Sequence, residues 1–270
     1  MQEPTWRRNF IQPSVRFKTP LYVYIPTNAE AEGPFITDTD NYEAKRGEGD
    51  DKDTKLRVVI SQRLETVNCL WDASTVLCGY LAANGKQVLE MCSQRFETKP
   101  SLFRVIEIGS GTGALGILAA KSLRQIGASL DNTLDVRVIM TDMEQEVSVL
   151  QDTIAANFDE SEIKGSSAVI TAEPLLWGSS QDCLSLQQKY QVDNLPWIHL
   201  ILATDIVYEL QHFDLLMKTL HDLSPRRNGP LFLMAFEKRW SDITGFWWEE
   251  VKSSGWKWET IKKGSAWYDA

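Results

Sequence analysis

The stretch Arg104-Val105-Ile106-Glu107-Ile108-Gly109-Ser110-Gly111-Thr112-Gly113-Ala114-Leu115-Gly116 constrains this chain more than any other. An apolar run passes into a loop with glycine at every second position, and an apolar helical pattern follows at once: strand, tight glycine turn, helix. Glycine admits φ > 0 and lets a backbone approach a ligand closely, and the first turn of the following helix presents unpaired N–H groups. Such a turn builds a nucleotide-type pocket at the carboxyl end of a parallel strand. Gly109-x-Gly111-x-x-Ala114 also satisfies the loose dinucleotide fingerprint, so a nicotinamide or flavin oxidoreductase stands beside other nucleotide-type ligands at this point.

From residue 104 onward strands and helices alternate. Strands are expected at 104–108, 136–142, 167–171, 197–205, 230–236 and 256–261, with helices near 113–126, 146–157, 209–223 and 244–252. The stretch 179–196 reads as a polar loop. Alternation of this kind makes an α/β class with a doubly wound, mostly parallel sheet. Ligands in such sheets bind outside the carboxyl ends of the strands, where three elements of this chain end in polar groups: the glycine loop, Asp142 and Asp205. Asp142 ends the second strand, where a carboxylate accepts the hydroxyls of a ribose; helix capping is the competing role. Trp177, in Leu175-Leu176-Trp177-Gly178, suits either the edge of an adenine or the core.

Ahead of this region, residues 1–55 are expected to form an N-terminal arm and an acidic linker, and residues 56–270 one domain. The run Leu21-Tyr22-Val23-Tyr24-Ile25 alternates as a strand or an extended arm. Residues 27–55 carry nine carboxylates against four basic side chains, more than half of the chain's net charge of −9, and read as a solvated linker. That acidic balance argues against a broad nucleic-acid-binding face. Cys69, Cys78, Cys92 and Cys183 form no CxxC pair and no metal spacing with the three histidines, so reduced thiols and no metal are expected. With no apolar run of membrane-spanning length and no signal peptide, the expectation is a soluble cytoplasmic protein, a nuclear one being the alternative.

Five elements in order carry a resemblance: Trp71-Asp72 opening a helix, Glu107-Ile108-Gly109-Ser110-Gly111-Thr112-Gly113, Leu176-Trp177-Gly178, Asp205-Ile206-Val207-Tyr208, and Phe236-Glu237-Lys238-Arg239. Together, over roughly residues 56–262, they resemble the protein-lysine methyltransferases of the seven-β-strand, S-adenosylmethionine-dependent class, the group acting on Hsp70 chaperones, the valosin-containing ATPase and elongation factors. The resemblance implies a Rossmann-like fold, S-adenosylmethionine as cofactor and a protein partner presenting a lysine. It assigns Trp71 to enclosing the cofactor, Glu107, Gly109, Gly111 and Gly113 to the motif under its methionine end, Asp142 to the ribose and Trp177 to the adenine. Asp205 and Tyr208 are placed at the methyl-transfer face, and Glu237 near the substrate channel. A lysine amine needs only to lose its proton and be aligned for in-line displacement, so the absence of an Asn/Asp-Pro-Pro-Tyr motif here is consistent with that chemistry. Two departures stand out: Phe236 replaces the family's usual tyrosine, and residues 262–270 leave room for at most a very short seventh strand. The tryptophans at 240, 247, 248, 256, 258 and 267 are expected to pack the last helix and strand. A small-molecule or RNA methyltransferase, and a non-catalytic interaction module of the same fold, are the remaining alternatives.

Overall fold

The structure is a computed structural model. It describes residues 21–26, 35–37, 55–60, 70–96, 100–130, 134–165, 168–191, 196–224, 229–237, 245, 247, 249, 251–254 and 256–261. At its centre is a parallel sheet of five strands: β4 (Leu102–Ile108), β5 (Asp135–Asp142), β6 (Ile170–Pro174), β7 (Leu200–Thr204) and β8 (Leu231–Ala235). Their spatial order is β6-β5-β4-β7-β8. The chain therefore winds outward from β4 to β6, returns across the sheet, and winds out again through β7 and β8. The reversal lies between β4 and β7, so the glycine loop and Asp205 flank the topological switch point, where an open α/β sheet forms its ligand crevice.

Burial on both faces explains why these strands read as continuous apolar runs. Val105, Val138, Met140, Leu200 and Leu202 face one core with helices α1 (Asp72–Ser93), α2 (Ala114–Leu130) and α3 (Val147–Ala155). Ile106, Ile108, Ile139, Ile201 and Ala203 face the other. That second core is completed by α5 (Ser180–Tyr190), α6 (Phe213–Leu223), Trp247 and Val251; α4 (Glu160–Ile163) is a single short turn. Phe213 meets Trp247 edge-on at 5.9 Å, which accounts for the most buried of the described C-terminal tryptophans.

A second sheet, β2-β1-β3, is antiparallel: β1 (Leu21–Pro26) lies between β2 (Phe35–Thr37) and β3 (Lys55–Ile60). Val23, Val58 and Ile60 join the core with α1 and α2. The strands straddle the boundary expected after residue 55, and β2 lies inside the segment read as a linker; apart from Lys55, which opens β3, the linker's other residues, and positions 1–20, lie outside the described residues. The outer edge of β3 is closed by side chains. The amide of Asn157, just after α3, accepts from Val59 N at 2.9 Å and donates to Val59 O and Thr153 O. Lys121 Nζ donates to Arg57 O at 2.8 Å and to Asn157 Oδ1 at 3.1 Å. One carboxamide thus takes the place of a neighbouring peptide on a strand edge.

Two expectations are corrected. Residues 180–190 of the supposed polar loop form α5, which begins with Ser179 Oγ accepting from Asp182 N at 3.2 Å and buries Cys183 and Leu186 at helical spacing. Residues 256–261 are irregular rather than a strand. Trp256 packs across α6 and β8, 6.5 Å from His221 and 6.2 Å from Phe232, so its apolar signal reflects coverage of the second core. The expected helix at 209–223 opens as a 3-10 turn at Leu210–His212. Lys238, Arg239, Trp240, Trp248, Cys69 and residues 262–270, with Trp267, lie outside the described residues.

His199 sits just ahead of β7, 2% exposed, at the sheet end away from the crevice. Its N–H donates to Arg104 O at 2.9 Å, and its Nδ1 accepts from Arg104 N at 3.0 Å, so the ring extends the ladder by one step. Burial, and secondarily the Arg104 guanidinium, push its pKa down to about 4.

Two outcomes are expected. Asn157→Ala, which strands a part-buried N–H and carbonyl of β3, costs about 2 kcal/mol in urea denaturation. His199 takes its proton only on unfolding, so its contribution is present above the unfolded value of about 6.5 and is lost as the pH falls towards 4. His199→Gln keeps an acceptor that does not titrate, so a urea-stability series from pH 7 to pH 4.5 shows a shallower acid slope for it than for the parent.

Candidate functional site

The glycine loop takes its shape from three alternating left-handed residues: Gly109 at φ 65°, Gly111 at φ 53° and Gly113 at φ 76°. An L side chain in this region costs about 1–2 kcal/mol per residue, so the loop is open to glycine and closed to most else. It is strapped to the end of β5. Ser110 N donates to Thr141 O at 2.9 Å, Thr141 N to Ser110 Oγ at 3.1 Å, and Thr141 Oγ1 to Glu107 O at 2.7 Å. A Cβ on Gly109 would lie 2.9 Å from Ile206 Cγ2 and 3.0 Å from Trp177 Cζ2, so the loop also abuts the segments after β6 and β7.

Glu107 is brought to the loop but not to its surface. It is 1% exposed and lies beneath the first turn of α2, where a Cβ on Gly116 would come within 2.6 Å of its Oε2. Desolvation raises its pKa to about 8, against the opposing hydrogen bonds of Ser110 and the Gly116 N–H, with Asp142 adding to the rise. Its Oε2 is buried without a hydrogen-bond partner. Glu107 therefore supports the loop from below, and its link to a bound ligand runs through the loop's backbone.

Asp142 ends β5 at the rim. Its Oδ2 accepts from Gly111 N at 2.7 Å and its Oδ1 from Met143 N at 2.8 Å, so this carboxylate holds the loop and the following turn together. Burial raises its pKa, against those two bonds. A carboxylate offers about four lone-pair sites, which leaves acceptors for a ligand's hydroxyl groups. Met143 beside it is 46% exposed, an apolar side chain at the crevice edge that sequence reading passed over. Trp177 does two things: its indole edge bounds the loop at Gly109, and its ring packs on the second core. His212, also unforeseen, stands between Trp177 (6.0 Å) and Tyr208 (5.4 Å), edge-on to both. Its only sequence signal was its place four residues after Tyr208.

Asp205 is the one described non-glycine residue in the left-handed region, at φ 53°. Its N–H donates to Ala235 O at 2.9 Å, and its Oδ1 accepts from Glu237 N at 2.9 Å, clamping the end of β7 to the end of β8. Aspartate tolerates this conformation better than most residues, and such strain collects at functional sites. Tyr208 is 40% exposed; desolvation raises its phenol pKa, with Glu209 and Asp142 adding to the effect. Glu237 is exposed beyond β8. Trp71 stands at the position before α1, whose first turn reaches the same edge through Ser74 Oγ, 2.8 Å from Thr204 Oγ1. One strand edge therefore gathers Trp71, the three glycines, Asp142, Trp177, Asp205, Tyr208 and Glu237, with Glu107 beneath. Among the described residues no group of three or more His, Cys, Asp or Glu could hold a metal, and no helix is long and apolar enough to cross a membrane.

This arrangement offers backbone donors, a carboxylate for hydroxyl groups, an aromatic edge and a rim of acids around one crevice. The glycine cradle and the remaining acceptor sites of Asp142 fit the hydroxyl groups of a nucleoside, and the acids at the rim fit a ligand that carries positive charge. The profile of the lysine methyltransferase family matches residues 51–253. Protein-lysine N-methyltransferase EFM6 of Saccharomyces cerevisiae is 32% identical over 174 residues, 63% of each chain. Protein N-lysine methyltransferase METTL21A of Danio rerio is 33% identical over 171 residues, 62% of each. Histone-arginine methyltransferase METTL23 of Xenopus laevis is 28% identical over 207 residues, 74% of this chain and 70% of its own. The chain thus spans somewhat under two thirds of the yeast and Danio rerio relatives. It belongs to the lysine methyltransferase family, whose methyl donor is S-adenosylmethionine.

Proposed function

We propose that this protein transfers a methyl group from S-adenosylmethionine to the side-chain amine of a lysine in another protein. The observation that carries the reading is the convergence, at the β4/β7 reversal, of the left-handed glycine loop with the strained turn that leads from Asp205 to Tyr208. When bound, the cofactor would supply a methyl carbon made electrophilic by its sulfonium, with a neutral thioether as the leaving group for an amine lone pair.

The residues of the chain do the rest. The glycine loop, with no side chains in the way, would let the methionine end lie close to its backbone, the acceptor sites of Asp142 left by Gly111 and Met143 would take the ribose hydroxyls, and Trp177 and Met143 would border the ring. Asp142, Asp205, Glu209 and Glu237 place negative charge around the mouth, which draws an ammonium group towards it. Tyr208 stays a neutral phenol, because burial and the neighbouring carboxylates oppose its ionisation, and so offers the incoming nitrogen both an acceptor and a steric wall. The nitrogen must arrive as the free amine, so its proton passes to water at the open rim before the new N–C bond forms. Alignment accounts for the rate more than acid–base chemistry does.

Incubation with tritiated S-adenosylmethionine and cell-extract protein should place label in methyllysine after hydrolysis. Label in methylarginine, in RNA or in a small molecule would overturn the lysine assignment. A thermal shift with NAD or NADP in place of S-adenosylhomocysteine would overturn the cofactor, since only a ligand of the folded state raises the melting temperature. Asp142→Ala should weaken S-adenosylhomocysteine binding about tenfold or more in calorimetry, as befits loss of charge-assisted hydrogen bonds. Tyr208→Phe should leave that affinity unchanged within about twofold and lower kcat, because only the hydroxyl facing the reacting nitrogen is removed.

A further inference from the structure

Helix α1 begins at the rim of the crevice without a cap of its own. Trp71 holds the capping position in an extended conformation and has no side-chain oxygen to accept from the first turn. The turn is organised from its third and fourth positions instead. Ser74 N donates to Trp71 O at 3.1 Å, and Thr75 Oγ1 donates to Asp72 O at 2.7 Å. Ser74 Oγ lies 2.8 Å from Thr204 Oγ1, a hydrogen bond between residues 130 apart in sequence. Thr204 is 9% exposed and is the last residue of β7, directly before the left-handed Asp205.

The bond therefore joins two groups already placed at the crevice. On one side stands Trp71, three residues before Ser74. On the other stands Asp205, held on its far side by Ala235 and Glu237. From this geometry we infer that Ser74, acting through Thr204, is a positioning residue for the methyl-transfer site: the hydroxyl pair sets the spacing between Trp71 and Asp205. Without it, the tie from Ser74 to the end of β7 is lost, and the first turn of α1, with Trp71, is held less firmly relative to Asp205. The inference rests on this crevice being the S-adenosylmethionine site.

The test uses the full chain as parent, Ser74→Ala, Thr204→Val, Thr204→Ser and the double variant Ser74→Ala/Thr204→Val. S-adenosylhomocysteine affinity is measured by calorimetry, and kcat and KM for labelled S-adenosylmethionine are measured, at a temperature where circular dichroism shows every variant folded. Ser74→Ala and Thr204→Val should each weaken binding and raise KM about fivefold, the factor expected for one hydrogen bond. The double variant should lose no more than the worse single variant, because both remove the same bond, and Thr204→Ser should match the parent. Parental affinity and KM in both single variants, whatever their melting temperatures, would overturn the inference and leave the cofactor reading standing. Additive losses in the double variant would overturn it too. A parent that binds no S-adenosylhomocysteine would overturn the cofactor reading, and this inference with it.

Discussion

The architecture turns on the hydrogen bond from Gly111 N to Asp142 Oδ2. It can form only because three glycines take the left-handed conformation in alternation, which lets the chain leave β4 and enter α2 without a side chain between the loop and β5. The same bond draws a carboxylate to the rim and keeps it ionised against burial that favours its protonated form. Helix α2 is then seated directly on β5, with Gly116 against Met140 and Glu107 at a separation no larger residue would permit. The crevice, the docking of α2 and the position of Asp142 are one structural fact.

Around this point the charge pattern separates into an interior and a mouth. Glu107, fully buried, has its pKa pushed up to about 8, so it is protonated through the neutral range and adds little field of its own. Asp205, Glu209 and Glu237 stand at the mouth. The field at the mouth favours positive charge, while the region beneath the loop stays close to neutral. The strain at Asp205 belongs to the same design: the residue is held between β7 and β8 by bonds at its backbone and side chain, so the turn to Tyr208 starts from a fixed direction.

Much of this was legible from local sequence, for identifiable reasons. A strand buried on both faces must be a continuous apolar run, so β4, β5 and β7 show themselves without ambiguity. Alternating glycines between a strand and a helix have few physical uses, so the crevice could be placed at Gly109–Gly113. What misled the reading had weak or borrowed signals. Helix α5 is polar on most of its surface and shows inward residues only at Cys183 and Leu186, so its composition resembles a loop. In residues 256–261 only Trp256 covers a core, and with the exposed Trp258 and Ile261 its spacing mimics the alternation of a strand.

Sequence by itself determined the class of fold, the winding of strand and helix from residue 104, and the residue types at the crevice, because backbone freedom and hydrophobic period are local properties. Tertiary structure alone decided how those residues are used. Glu107 supports the loop from beneath instead of lining the crevice, Asp142 ties the loop to the turn after β5, and His212 stands between Trp177 and Tyr208. It also decided that Asn157 closes β3 across 98 residues and that Ser74 meets Thr204 across 130. Hydrogen bonds between side chains so far apart leave no periodicity in the chain; they exist only once packing has brought the two segments together.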